Sequence, residues 1–167
     1  RVYSGHRNRI WVSNNITCKR ATQFFYSAID ISKKALKVAE CNAKIQHLRN
    51  RIQFIYSGID KFCNGKYDII ISNPPYIKSA SIKNLDEDVR LYEPRIALDG
   101  GCDGYSLIRE VIKKSSHLLK NGGKLFLEIG FEQINEVKKL LKDNHFYVNK
   151  IAKDLRKINR CIISTKI

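Results

Sequence analysis

The chain has 167 residues, 43% of them hydrophobic, and carries 31 Lys and Arg against 16 Asp and Glu, a formal charge of +15. That length suits one core and is short for two, and no apolar run approaches the roughly 18 residues that cross a bilayer. Five scattered cysteines (Cys18, Cys41, Cys63, Cys102, Cys161), with no Cys-x-x-Cys pair and no His cluster at ligand spacing, argue against a zinc site or a disulfide framework and read as reduced thiols of a cytoplasmic protein.

In chain order, residues 1–23 are neither strand-like nor glycine-rich, start at Arg1 instead of Met, as in a fragment, and lack the basic-then-apolar pattern of a signal peptide. Residues 24–29 form a β-rich apolar run ending in Asp30; Ser32 then caps a helix whose apolar positions Ala35, Leu36, Val38, Ala39 and Ala43 recur to about Gln46. A second strand covers 52–56 and is closed by Ser57-Gly58. A third covers 67–72, a near-continuous apolar run of the kind buried on both faces of a parallel sheet. Residues 77–104 make a long polar loop of the functional or mobile kind. A helix over 105–119 is stopped by Asn121-Gly122-Gly123; a strand over 124–129, a helix over 132–142 and a closing strand pair over 146–151 and 160–164 follow. This alternation predicts an α/β Rossmann-like sheet, mostly parallel with helices on both faces, which binds ligands beyond the carboxyl ends of its strands.

Two such ends carry chemistry. Asp30 is placed to accept from the ribose hydroxyls of a nucleoside cofactor, or to support the helix cap at Ser32. Asn73-Pro74-Pro75-Tyr76 follows the third strand directly. Two prolines fix φ near −65° and remove two N–H donors, so the carbonyls of Asn73 and Pro74 and the Asn73 amide project into the cleft. A planar NH2 group docked on two acceptors has its lone pair aimed one way, and Tyr76 offers a flat face beside it. That chemistry is methyl transfer to an amide or amine nitrogen; the plain alternative is a strand ending in a proline turn. The charge fits a phosphate-bearing partner, but lysines such as Lys33, Lys34, Lys113, Lys114, Lys138 and Lys139 fall on polar helix faces, and direct nucleic-acid binding is admitted without being favoured.

From residue 24 onward the chain resembles the HemK/PrmC family, the peptide chain release factor N(5)-glutamine methyltransferases of the class I S-adenosylmethionine-dependent fold. The resemblance lies in Ala28-Ile29-Asp30-Ile31-Ser32, Ser72-Asn73-Pro74-Pro75-Tyr76-Ile77, Tyr92-Glu93-Pro94-Arg95-Ile96-Ala97-Leu98, Asp103-Gly104 and Leu127-Glu128-Ile129-Gly130. It implies S-adenosyl-L-methionine as cofactor, held by Asp30 at the ribose, by Ile59 beside the adenine and in part by Asn73, with no metal. It also implies that Asn73 and the Pro74 carbonyl grip the glutamine amide of a release factor, with Pro75 and Tyr76 shaping the pocket. The acid or amide this family often has just before Ile59 is Gly58 here, which weakens the expected adenine contact. The Asn-Pro-Pro-Tyr box is shared with nucleic-acid and ribosomal-protein N-methyltransferases, which remain an alternative, as does a non-catalytic gene remnant.

One part of the pattern is missing. The class needs a strand and Asp-x-Gly-x-Gly-x-Gly before Asp30, because only glycine lets the backbone lie against the cofactor without a Cβ clash. If residues 5–12 are encoded GGA CAT AGG AAC AGG ATC TGG GTG and followed by T, a one-base shift reads Asp-Ile-Gly-Thr-Gly-Ser-Gly-Cys, with Arg7, Arg9 and Trp11 becoming the three glycines. The expectation is therefore that residues 1–23 are an aberrant, frame-shifted segment before a methyltransferase domain over 24–167. The first strand and glycine loop would be lost, leaving the sheet edges beside them open and cofactor binding very weak.

Overall fold

The computed structural model describes the backbone of residues 10–14 and all of residues 25–167. The strands are β1 (Ile10–Asn14), β2 (Phe25–Asp30), β3 (Ile52–Tyr56), β4 (Tyr67–Ser72), β5 (Leu119–Glu128), β6 (Phe146–Lys153) and β7 (Asn159–Lys166). The helices are α1 (Lys33–Ile45), α2 (Glu87–Tyr92), α3 (Ser106–Leu118) and α4 (Ile134–Asp143). The strands form one sheet in the order β3-β2-β1-β4-β5-β7-β6. Pairing is parallel for β2 with β3 and β4 with β5, and antiparallel at β1 and around β7, so β2 to β6 point one way and β1 and β7 the other.

From β2 the chain moves outward to β3, and from β4 outward to β5 on the opposite side. Right-handed crossovers therefore set α1 and α3 on opposite faces. Alternation along β2 agrees: Ala28 packs with Ala43 of α1 and Ile52, whereas Ile29 joins the main core with Ile108, Val111 and Ile112 of α3. That main core also holds Ile70, Leu125 and Leu127, with Val137 and Leu141 of α4.

Three sequence expectations change. The central slot of the sheet is not empty: β1 fills it, pairing Ile10 with Ile29 on one side and with Ser72 on the other. The edges of β2 and β4 that face it are thus paired. An antiparallel ladder satisfies their N–H and C=O groups as well as a parallel one, so the short β-capable run Ile-Trp-Val-Ser-Asn suffices. The expected glycine-rich stretch lies largely outside the described residues. Second, Asn121-Gly122-Gly123 does not stop α3. The helix ends at Leu118 and runs straight into β5, whose register against β4 slips between Leu119 and Lys124, with Gly122 at φ +78°. Third, the loop over 77–104 is structured, carrying α2 and two 3₁₀ segments, the two-turn Ser79–Asn84 and the single-turn Arg95–Ala97. In α1, Ala35, Ala39 and Ala43 make the buried face while Val38 stays 48% exposed.

Candidate active site

The carboxyl ends of β2, β3 and β4 open onto one cavity of about 570 Å³, whose walls include Ile29, Asp30, Ile31, Ile59, Asn73 and Pro74. At the end of β2, Asp30 is 4% exposed. Its Oδ1 accepts from the Ser32 amide at 2.7 Å, and Ser32 Oγ accepts from the Ala35 amide at 3.2 Å, starting α1. Cap support and a wall position in the cavity thus belong to the same carboxylate. The Asp30 carbonyl takes the Ser57 amide at 3.2 Å, which ties the loop after β3 to the end of β2.

Asn73 stands one residue past β4, and Pro74 and Pro75 behind it are buried. Its Oδ1 is buried, and no donor among the described residues bonds it. A buried acceptor left unsatisfied costs about 1–3 kcal/mol unless something supplies a donor. Asn73 is itself one of the residues that line the cavity.

The box is held from behind by the loop over 98–104. The Ile77 amide donates to the Leu98 carbonyl at 3.1 Å, and the Gly100 amide to the Ile77 carbonyl at 2.8 Å. Gly100 and Gly104 are glycines because the Tyr76 backbone lies against them. A Cβ on Gly100 would stand 2.9 Å from Tyr76 Cα, and one on Gly104, at φ +81°, 2.7 Å from the Tyr76 carbonyl oxygen. Asp99 braces the turn, accepting from Ser79 Oγ at 2.5 Å, the Gly101 amide at 3.0 Å and Arg95 Nε at 3.4 Å. The Ser79 hydroxyl foremost, then the Gly101 amide, holds the Asp99 carboxyl below the usual carboxylate range, against the opposing pull of burial. Asp103 likewise accepts from the Tyr105 amide at 3.0 Å and from Arg109 Nη2 at 2.8 Å at the start of α3.

Five of the six residues singled out in the sequence, Asp30, Ile59, Asn73, Pro74 and Pro75, line this cavity. Tyr76 does not; it borders a small adjoining depression with Ile77, Ala97 and Leu98. Of the Tyr92-to-Leu98 segment, Arg95 and Ile96 reach the cavity wall, and Tyr92 stands 81% exposed.

Sequence reading missed Gln133. It is 7% exposed; its Oε1 accepts from the Gly130 amide at 2.9 Å and its Nε2 donates to the carbonyls of Gly104 and Tyr76 at 3.0 and 3.2 Å. One carboxamide thus joins the end of β5, the box after β4 and the Asp103-Gly104 turn. The available signal was a Gln three residues after Gly130, the glycine that follows the strand and precedes the next helical turn. Gln133→Leu strands one donor and two acceptors, so urea denaturation is expected to show a loss of about 2–4 kcal/mol. A loss below about 0.5 kcal/mol would mean the three bonds are not made.

The family model described as Eco57I restriction-modification methylase matches residues 6–166. The chain belongs to that family. Among curated relatives, the release factor glutamine methyltransferases of Fusobacterium nucleatum and Thermodesulfovibrio yellowstonii are 39% identical over 144 residues and 34% over 148. These matches take in 84% and 89% of this chain but 40% and 53% of the relatives, so the chain spans about half the length of the curated relatives it matches. The resemblance to HemK/PrmC sequences is met here. Among solved structures, a methyltransferase from Pyrococcus furiosus aligns with a TM-score of 0.62 at 19% identity, covering 84% of this chain and 61% of its own. The ribosomal protein L11 methylase of Lactobacillus delbrueckii aligns with a TM-score of 0.57 at 19% identity, over 84% of this chain and 57% of its own. These structures establish the class I methyltransferase fold.

Membership of this methylase family fits the placement of Asp30 and Asn73 at two strand ends around one cavity. It leaves open which nitrogen is methylated.

Proposed function

We propose that this chain is the catalytic domain of an S-adenosylmethionine-dependent methyltransferase acting on the side-chain amide of a glutamine in a peptide chain release factor. The observation that carries this reading is Asn73, which lines the same cavity as Asp30 and whose buried Oδ1 receives no hydrogen bond from the described residues. Both fit a nucleoside-bearing methyl donor with an amide acceptor beside it. Asp30 would hold the ribose, Ile59 and Ile31 would flank the adenine, and Asn73 would face both cofactor and substrate. When bound, S-adenosylmethionine supplies an activated methyl group on a sulfonium, so the protein needs no strong base. Asn73 Oδ1 and the Pro74 carbonyl accept the two protons of a glutamine NH2, which fixes the plane of the amide and aims its nitrogen. Pro74 and Pro75 keep that geometry rigid. Names of the curated relatives support glutamine as the acceptor.

The matched family's description favours a second reading, methylation of DNA or RNA. Charge around the cavity weighs against it. Residues 77–104 hold six carboxylates and four Lys or Arg, a net negative stretch in a chain whose total is +15. Arg95 and Asp99 of this stretch line the cavity. A polyanionic substrate approaching that side meets a net negative stretch that opposes it, whereas a neutral or basic peptide meets no such opposition. Incubating the chain with S-adenosylmethionine labelled at the methyl group, and offering a release factor or a DNA or RNA duplex, tests this directly. Label on a release-factor glutamine is the expected result, at a low rate; label on nucleic acid alone would reverse the assignment.

A further inference from the structure

The cavity wall contains a carboxylate that none of the roles above uses. Asp60 sits on the helical turn after β3, in which the amides of Phe62 and Lys61 return to the Gly58 carbonyl at 3.2 and 3.3 Å. It lines the same cavity as Asp30. Among the described residues no hydrogen bond or ion pair engages its carboxylate.

Gly58 explains how Asp60 comes to lie there. A Cβ on Gly58 would stand 2.2 Å from Asp60 Oδ1 and 3.5 Å from Ile31 Cγ2, while the backbone at Gly58 lies outside the left-handed region and would admit any residue. The glycine thus leaves room for the Asp60 carboxylate in the orientation it adopts and is not needed for conformation. A side chain at 58 and the Asp60 carboxylate in this orientation exclude each other: the acid two residues later occupies the position where a side chain at 58 would begin. Next to it, Ile31 and Ile59 provide apolar walls. A slot of that kind with an acceptor-only group at its edge suits a flat heterocycle that presents an amino group.

We propose that Asp60 accepts a hydrogen bond from the exocyclic amino group of adenine, supplying from position 60 the contact that Gly58 cannot make. This rests on the reading that S-adenosylmethionine is the cofactor. A carboxylate has no proton to give at neutral pH, so it favours the amino group of adenine and opposes the carbonyl oxygen that hypoxanthine carries in its place. Asp60 is therefore a specificity residue for the base.

The test is titration calorimetry of the full chain with S-adenosylhomocysteine and with its hypoxanthine counterpart, S-inosylhomocysteine. The parent chain is expected to prefer the adenine ligand by about tenfold or more, the size of one hydrogen bond to a charged acceptor. Asp60→Ala should weaken the adenine ligand about tenfold and bring the two ligands within about twofold. Gly58→Asp combined with Asp60→Ala should recover at least part of the preference. Thermal melts of all three proteins should coincide, since Asp60 is exposed and makes no bond that holds the fold. An Asp60→Ala protein with the parent's affinities and preference would overturn the proposal while leaving the cofactor reading intact. A parent that binds neither ligand at millimolar concentration would overturn both.

Discussion

Asn73→Ala is expected to lower the rate of glutamine methylation by about two to three decades while leaving the stability of the protein unchanged or slightly raised. The two halves of that expectation come from one atom. Asn73 Oδ1 is buried and receives no hydrogen bond from the described residues, so removing it deletes a desolvated acceptor and no bond made among them. Deletion of a group that is already unsatisfied does not destabilise the fold, whereas removing the partner of a satisfied group does. In the transition state the same oxygen would meet one proton of the substrate NH2, and losing one positioned polar group there typically costs about 2.7–4 kcal/mol. Initial rates at saturating cofactor, read beside urea denaturation, separate the alternatives. A residue that only turns the chain after β4 would give the opposite pair: a rate within threefold of the parent and a loss of stability. The comparison belongs in a protein whose cofactor loop is intact, so that the chemical step is measurable.

The site was legible where its chemistry is carried by residues contiguous in sequence. Asn73-Pro74-Pro75 follows an unmistakable buried strand, and Asp30 closes another, so position along the chain translates directly into position at the sheet's carboxyl edge. What could not be read is what depends on side chains folding back through space. Gln133 joins segments 29 and 57 residues away in sequence, and its exposure to water in a predicted helix-start region would have been an equally good guess. Asp60 looked like an ordinary turn acid, and the Gly58 before it looked only like a lost contact; the two make sense when the missing Cβ and the carboxylate are seen to compete for one place. The helices were placed by their apolar spacing, but α1 buries its small Ala face and leaves Val38 in water, because spacing specifies a stripe and packing against β2 and β3 selects its centre. The direction of β1 was the least accessible feature, since a five-residue strand pairs in either sense.

That direction bears on the last and largest expected change, the gain in cofactor affinity on restoring a glycine-rich segment. β1 runs antiparallel to β2 and β4, with Ile10 beside Ile29 and Ser72, so it is the start of β1 that lies at the cavity end of the sheet and its finish that lies at the far end. The end of β1 therefore lies away from the cavity, although a nucleoside cofactor in an open α/β sheet is bound by the loop that leaves the first strand at the same edge as Asp30 and Asn73. We propose that residues 1–23 are a frame-shifted reading of that strand and loop. Two measurements follow. In the gene, codons for Arg7 and Arg9 are expected to end in GG, with the adjacent frame across residues 5–13 reading the glycine box; other codons there would end the idea. In the protein, replacing residues 1–23 by the corresponding stretch of a full-length relative should tighten S-adenosylmethionine binding at least about 100-fold, equivalent to about 2.7 kcal/mol. Several backbone N–H contacts to the methionine half, each contributing about 0.5–1.5 kcal/mol, account for that gain without any change to Asp30, Asp60 or Asn73. 5′-Methylthioadenosine, which lacks most of the methionine half, should bind the two proteins within about threefold of each other, because the residues that would hold its base and ribose are the same in both. A low-micromolar dissociation constant for S-adenosylmethionine with the chain as it stands would mean that residues 1–23 already build a working methionine site, and the frame-shift proposal would fall.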